Sequence, residues 1–101
     1  MKVKIRRGTP RRTRGYVNRI AKGLEQNLIQ AKVREEIESP RLTFCWFLNL
    51  DYALQFEFTY KQEEWTTRIM LDFLNQEIQV EQLIEYFSSK VISKVKGEDE
   101  E

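Results

Sequence analysis

Between Leu42 and Phe73 the chain alternates apolar residues with polar or small ones in three successive runs. A period of two sustained in this way is the pattern of strands with one buried face. In the first run Leu42, Phe44, Trp46, Leu48 and Leu50 share a face, opposed by Thr43, Cys45, Phe47 and Asn49. In the second, Leu54, Phe56, Phe58 and Tyr60 oppose Gln55, Glu57 and Thr59. In the third, Trp65, Thr67, Ile69, Leu71 and Phe73 oppose Thr66, Arg68, Met70 and Asp72. Three consecutive strands of this kind form a small antiparallel sheet whose apolar face needs a cover. Asn49-Leu50-Asp51-Tyr52 supplies the turn chemistry of the first hairpin. The second turn falls near Lys61-Gln62-Glu63, polar but without a glycine to define its type.

The cover comes from the flanks. From Tyr16 to about Glu38 the period becomes helical: Tyr16, Ile20, Leu24 and Leu28 recur every four residues, widened by Val17, Ala21, Ala31 and Ile37. Ser39-Pro40 is read as its stop, because a residue before proline is pushed out of helical geometry. Two starts fit: Thr9 as N-cap with Pro10 at the first helical position, or a start after Thr13; Gly15 in the first turn favours the later one. Gly23 is expected to let this helix lie close on a large aromatic of the sheet. A second helix is expected to begin between Ile78 and Glu81, after a polar connection at Asn75-Gln76-Glu77, and to run to about Val95. Leu83, Ile84, Phe87, Val91, Ile92 and Val95 make its stripe, and Gly97 caps it. Ahead of the first helix, Val3 and Ile5 alternate with Lys2, Lys4 and Arg6, compatible with a short edge strand within an extended arm. The expected fold is a two-layer α+β domain in the order α-β-β-β-α, a three-stranded antiparallel sheet with two helices on one face. Residues 1–14 are read as a basic N-terminal arm, 15–97 as the single α+β domain and 98–101 as an acidic tail.

A chain of 101 residues with 41% hydrophobic and 33% charged residues suits one globular domain. No apolar run approaches the roughly 18–20 residues of a membrane span, and the basic N-terminus lacks the apolar segment of a secretory signal. A lone cysteine, Cys45, makes no internal disulfide, which points to a reducing, cytoplasmic location.

Several chemistries lack their residues. Without histidine the chain lacks the commonest general base and the commonest metal ligand, its single cysteine is too few for a zinc site, and Cys45 has no imidazole to activate it. Glu35-Glu36 and Glu63-Glu64 are sequence neighbours that point apart, and Gly8, Gly15, Gly23 and Gly97 match no phosphate-loop spacing. The expectation is a non-enzymatic protein with no cofactor and no metal.

Charge offers the functional lead. Residues 1–22 hold nine bases, Lys2, Lys4, Arg6, Arg7, Arg11, Arg12, Arg14, Arg19 and Lys22, and no acid; the other 79 residues hold eight bases and all sixteen acids. Lysine and arginine neutralise phosphates and release counterions, and the arginine fork binds phosphate oxygens in pairs. DNA or RNA association through these nine residues is therefore expected. The bland alternative is a solubilising arm, or one that docks on an acidic protein surface. The aromatics suggest base stacking less well, because most share the apolar face. Phe47 and Met70, with Arg68 beside them, mark the outer sheet face as a second candidate for a protein partner or self-association. Arg68 and Glu57 are also expected to pair across adjacent strands.

The helix, three strands and helix resemble in order the double-stranded-RNA-binding domain. The resemblance is topological: that family has a glycine-proline loop between its first two strands and lysines at the start of its second helix. Here those positions carry Asn49-Leu50-Asp51-Tyr52 and Gln79, Glu81 and Glu85, while Lys90, Lys94 and Lys96 lie at the helix's far end. No site residues follow from the resemblance.

Overall fold

The structure is a computed structural model that describes residues 1–46, 52–71 and 77–97. The chain runs through β1 (Lys2–Ile5), α1 (Arg11–Gln30), a 3₁₀ turn (Arg34–Glu36), β2 (Glu38–Trp46), β3 (Tyr52–Tyr60), β4 (Glu63–Leu71) and α2 (Glu77–Lys96). Both helices share one core with the sheet, so the two-layer α+β reading holds. The sheet itself differs from expectation. It has four strands in the order β1-β2-β3-β4 and is mixed, because β1 runs parallel to β2 rather than belonging to a free arm. Parallel neighbours need a long crossover, and α1 provides it. Val3 and Ile5 sit opposite Leu42 and Phe44 and pack against the core, leaving Lys2 and Lys4 exposed on the other side. The Arg6 amide donates to the Phe44 carbonyl at 3.1 Å and extends the ladder by one residue.

The boundaries of α1 also move. It starts at Arg11 with Pro10 at the N-cap, and Thr9 does not cap it; the Thr9 hydroxyl donates instead to the Arg6 carbonyl. At the other end the helix stops at Gln30, well before Ser39-Pro40. Lys32 takes the left-handed conformation (φ 62°). Its amide donates to the Ile29 carbonyl at 3.0 Å and the Val33 amide to that of Leu28 at 3.0 Å. These are the two bonds of a Schellman motif, and the buried side chains of Val33 and Leu28 supply its apolar contact. The single 3₁₀ turn then carries Ile37 to the core and prolongs the helical spacing in the sequence. Ser39 and Pro40 lie inside β2, at a bulge between the pairs Glu38–Thr59 and Arg41–Glu57. A bulge tolerates a residue without an N–H. The β3–β4 turn has Lys61 (φ 52°) and Gln62 (φ 69°) at its centre, the all-positive pattern of a type I′ turn. The expected first hairpin turn, Asn75 and Gln76 of the expected connection and the 98–101 tail fall wholly or mainly outside the described residues. Glu77, read as the last residue of that connection, instead opens α2, ahead of the expected start between Ile78 and Glu81, and Gly97 follows the helix with φ 72°.

The core joins Val17, Ile20, Leu24 and Leu28 of α1 and Leu83, Phe87 and Val91 of α2 to Leu42, Phe44, Leu54, Phe56 and Phe58 of the sheet. Its aromatic pairs include Phe56 with Phe87, centroids 6.3 Å apart. Cross-links tie α2 down. The Tyr60 hydroxyl donates to the Val95 carbonyl at 3.1 Å, satisfying an end group of the helix, and the Lys94 ammonium sits 3.8 Å from the Trp65 ring centroid. Asn27 Nδ2 donates to Ser88 Oγ at 3.2 Å between the helices.

Gly23 serves helix–helix packing rather than contact with a sheet aromatic. A Cβ at position 23 would overlap Ile84 Cδ1 of α2 and lie 3.1 Å from its Cγ1. Gly23→Val should therefore cost about 1–3 kcal/mol through overpacking, lowering Tm by about 4–8 °C per kcal/mol in a domain of this size. Thermal melts of Gly23→Val with and without Ile84→Ala check this: the second change should recover part of the loss in the double variant.

Candidate functional site

The nine N-terminal bases are not presented by one flexible arm. Lys2 and Lys4 belong to β1 and emerge on the open face of the sheet, away from the helices. Arg6 and Arg7 follow in the turn, and Arg11, Arg12 and Arg14 occupy the first turn of α1. Arg14 Nε donates to the Thr9 carbonyl at 3.1 Å, which holds that side chain against the helix entry. Further along, the Arg19 guanidinium lies over the Tyr16 ring, 5.7 Å from its centroid, and Lys22 is exposed. At 3.6 residues per turn, Arg11, Arg12, Arg19 and Lys22 fall within about 100° of one another, along about 16 Å of helix. They lie opposite the buried stripe of Val17, Ile20, Leu24 and Leu28. One group of bases thus lines the solvent side of α1 and another the far side of the sheet, with Arg6 and Arg7 between.

The start of α1 is electrostatically unusual. Its first turn holds no acid, and its N-cap residue, Pro10, has no side-chain acceptor for the first N–H groups. Three arginines at the positive end of a helix dipole oppose it, each at a cost of about 0.3–1 kcal/mol at the surface. An anion placed there relieves both the dipole and the arginines' mutual repulsion.

The open sheet face carries a hydrogen-bonded belt across three strands. Arg41 Nη2 donates to Glu57 Oε1 at 2.6 Å, Gln55 Nε2 donates to Glu57 Oε2, and Arg68 Nε donates to Gln55 Oε1 at 2.9 Å. The expected Arg68–Glu57 pair does not form. Register places Glu57 directly opposite Arg41 and Gln55 directly opposite Arg68, so each group takes its nearer neighbour. Arg41 was missed in the sequence because its strand starts four residues earlier than the alternation suggests. Met70 is 55% exposed, whereas Phe47 falls outside the described residues. Beside this belt a cleft of about 600 Å³ is lined by Lys2, Arg34, Arg41, Glu57, Glu64 and Trp65, among others, with no histidine or cysteine in its walls. Among the described residues no three side chains are grouped to hold a metal ion, and no helix is long and apolar enough to cross a membrane.

The hydrogen bond from Arg41 holds the Glu57 carboxyl below its ordinary 4.5, helped by Gln55 and by the charges of Arg41 and Lys4 and opposed by partial burial. A depressed native pKa stabilises the fold fully above the unfolded value, and that contribution disappears as pH falls through the native one. Stability should therefore decline below about pH 4.5, and Glu57→Gln should flatten that part of the acid limb. Urea midpoints of the two proteins between pH 3 and 6 measure the difference, with the curves converging at the acid end.

Compared with known proteins, the chain matches no family model, no curated protein and no solved structure.

Proposed function

We propose that this chain is a non-enzymatic binding protein that associates with nucleic acid, DNA or RNA, through the basic residues of its first 22 positions. The observation that carries the reading is the start of α1, where Arg11, Arg12 and Arg14 crowd the positive end of an uncapped helix with no acid in the turn. The arrangement works against the fold, and a bound phosphate offsets it. Arg7, Arg11, Arg12 and Lys22 are exposed and form the leading contact set, with Arg6, Arg14 and Arg19 flanking it. Lys2 and Lys4, on the far side of the sheet, reach the same duplex only if it bends around the β1 edge. Charge and shape carry the affinity, since lysine and arginine contacts to phosphate position a protein on a duplex without reading its bases. The lone cysteine agrees with a cytoplasmic setting.

A second reading is a protein partner on the outer sheet face, favoured by the exposure of Met70 beside Arg68. Salt separates the two, because phosphate contacts release counterions and an apolar contact does not.

Deleting residues 1–14 is a poor test, because it removes β1 and the first turn of α1 from the fold. Fluorescence anisotropy with labelled duplex DNA, single-stranded DNA and duplex RNA across a salt series uses the full chain instead. Binding should weaken linearly in log–log form, and Arg11→Gln/Arg12→Gln should reduce the slope by about two. The Lys2→Gln/Lys4→Gln protein should bind nearly as wild type. No binding to any of the three at low salt would overturn the reading.

A further inference from the structure

We infer that β4 is a self-complementary edge through which two copies of this chain join into one continuous sheet. This edge is distinct from the basic segment and shares with the outer sheet face only the side chains of Glu64, Thr66, Arg68 and Met70. β4 is nine residues long and, among the described residues, lies at the margin of the sheet and pairs only with β3. Its register with β3 is unbroken from Tyr52–Leu71 to Tyr60–Glu63, without the bulge that interrupts β2 and without a proline. The opposite margin, β1, has only four residues, and two of them are exposed lysines. Edges are ordinarily blunted by shortness, bulges, proline or unmatched charge. By that standard β1 is protected, and β4 lacks every one of these features except charge.

The direction of the free backbone groups follows from the turn. Tyr60 and Glu63 flank a two-residue hairpin and so form a hydrogen-bonded pair. Pairing alternates along the ladder, so Glu63, Trp65, Thr67 and Ile69 bond to β3, while Glu64, Thr66, Arg68 and Met70 turn their N–H and C=O groups outward. All four outward residues are exposed, whereas Trp65, Thr67 and Ile69 are half-buried and only Glu63, beside the turn, is exposed among the bonded set. Their charges are arranged for an antiparallel copy. Glu64 and Arg68 lie symmetrically about Thr66, so a two-fold axis at Thr66 sets Glu64 against Arg68 of the partner subunit and Arg68 against Glu64 of the partner subunit. Thr66 then meets its own copy as a hydrogen-bonded threonine pair, a favourable cross-strand combination. The charges that repel a foreign strand of the wrong pattern thus select a second copy in one register, an isologous contact. Arg68 Nε is held by Gln55, which fixes the guanidinium on the correct face and leaves its other nitrogens for the carboxylate.

The test is the oligomeric state of the full chain without nucleic acid, by sedimentation over about 5–200 µM, the range suited to a small transient interface. A concentration-dependent dimer is expected. Glu64→Arg, and separately Arg68→Glu, should each weaken it at least about tenfold by setting like charges against each other. The combined Glu64→Arg/Arg68→Glu protein should regain it. Thr66→Pro should abolish it, because that residue's N–H points outward and its loss removes no bond to β3. Circular dichroism confirms that each variant is folded, and the charge reversals carry the test if the proline variant is not. A monomer at every concentration, a dimer indifferent to the single reversals, or a folded double reversal that stays monomeric would overturn the inference. Because nucleic acid is absent, none of these results depends on the reading of the basic segment.

Discussion

Everything in this fold depends on burying one face of a sheet whose other face stays in water. Phe44, Phe56 and Phe58 project from three adjoining positions on the inner side, and each fully buried large side chain contributes roughly 1.5–3 kcal/mol. One helix is too narrow to cover four strands, so two must lie side by side, and their closeness is set where Gly23 meets Ile84. The interhelical hydrogen bond from Asn27 to Ser88 and the contacts of Tyr60 and Trp65 with the end of α2 hold that pair on the sheet. Because both helices occupy one side, the outer face is left to a polar belt built around Glu57, and each edge must protect itself.

The inner and outer faces of β2, β3 and β4 were legible from period two alone. Burial depends on side-chain direction, and direction alternates whatever the strand's partner. The four-residue β1 was less legible. Val3 and Ile5 show a strand's alternation, but nothing local says that they pair in parallel with Leu42 and Phe44, far along the chain. The end of α1 was hidden for a different reason. Lys32 adopts a conformation usually given to glycine, and the 3₁₀ turn that follows sets buried Ile37 four residues after buried Val33, a spacing that reads as helical. The same substitution of ordinary residues for glycine concealed the turn at Lys61 and Gln62. These backbone positions are fixed by the surrounding packing, which a sequence pattern does not display.

The candidate site was legible as charge and illegible as geometry. Nine bases without an acid stand out in a sequence, but their order along the chain implies a single arm. Folding instead distributes them over two sides of the molecule, with β1 carrying Lys2 and Lys4 one way and α1 carrying Arg11, Arg12, Arg19 and Lys22 the other. It also recruits Arg41, from outside the basic segment, to the open face beside Lys2. What remains as a concentrated site is the entry to α1, where backbone dipole and side-chain charge have the same sign.

The most direct test of that account is a two-dimensional amide NMR titration of the full chain with a short duplex at low salt. The account predicts that shifts concentrate at Arg7 and Gly8, through the first turn of α1 and on to Lys22. Shifts confined to the outer sheet face around Thr43, Gln55 and Arg68, or no shifts at all, would contradict it.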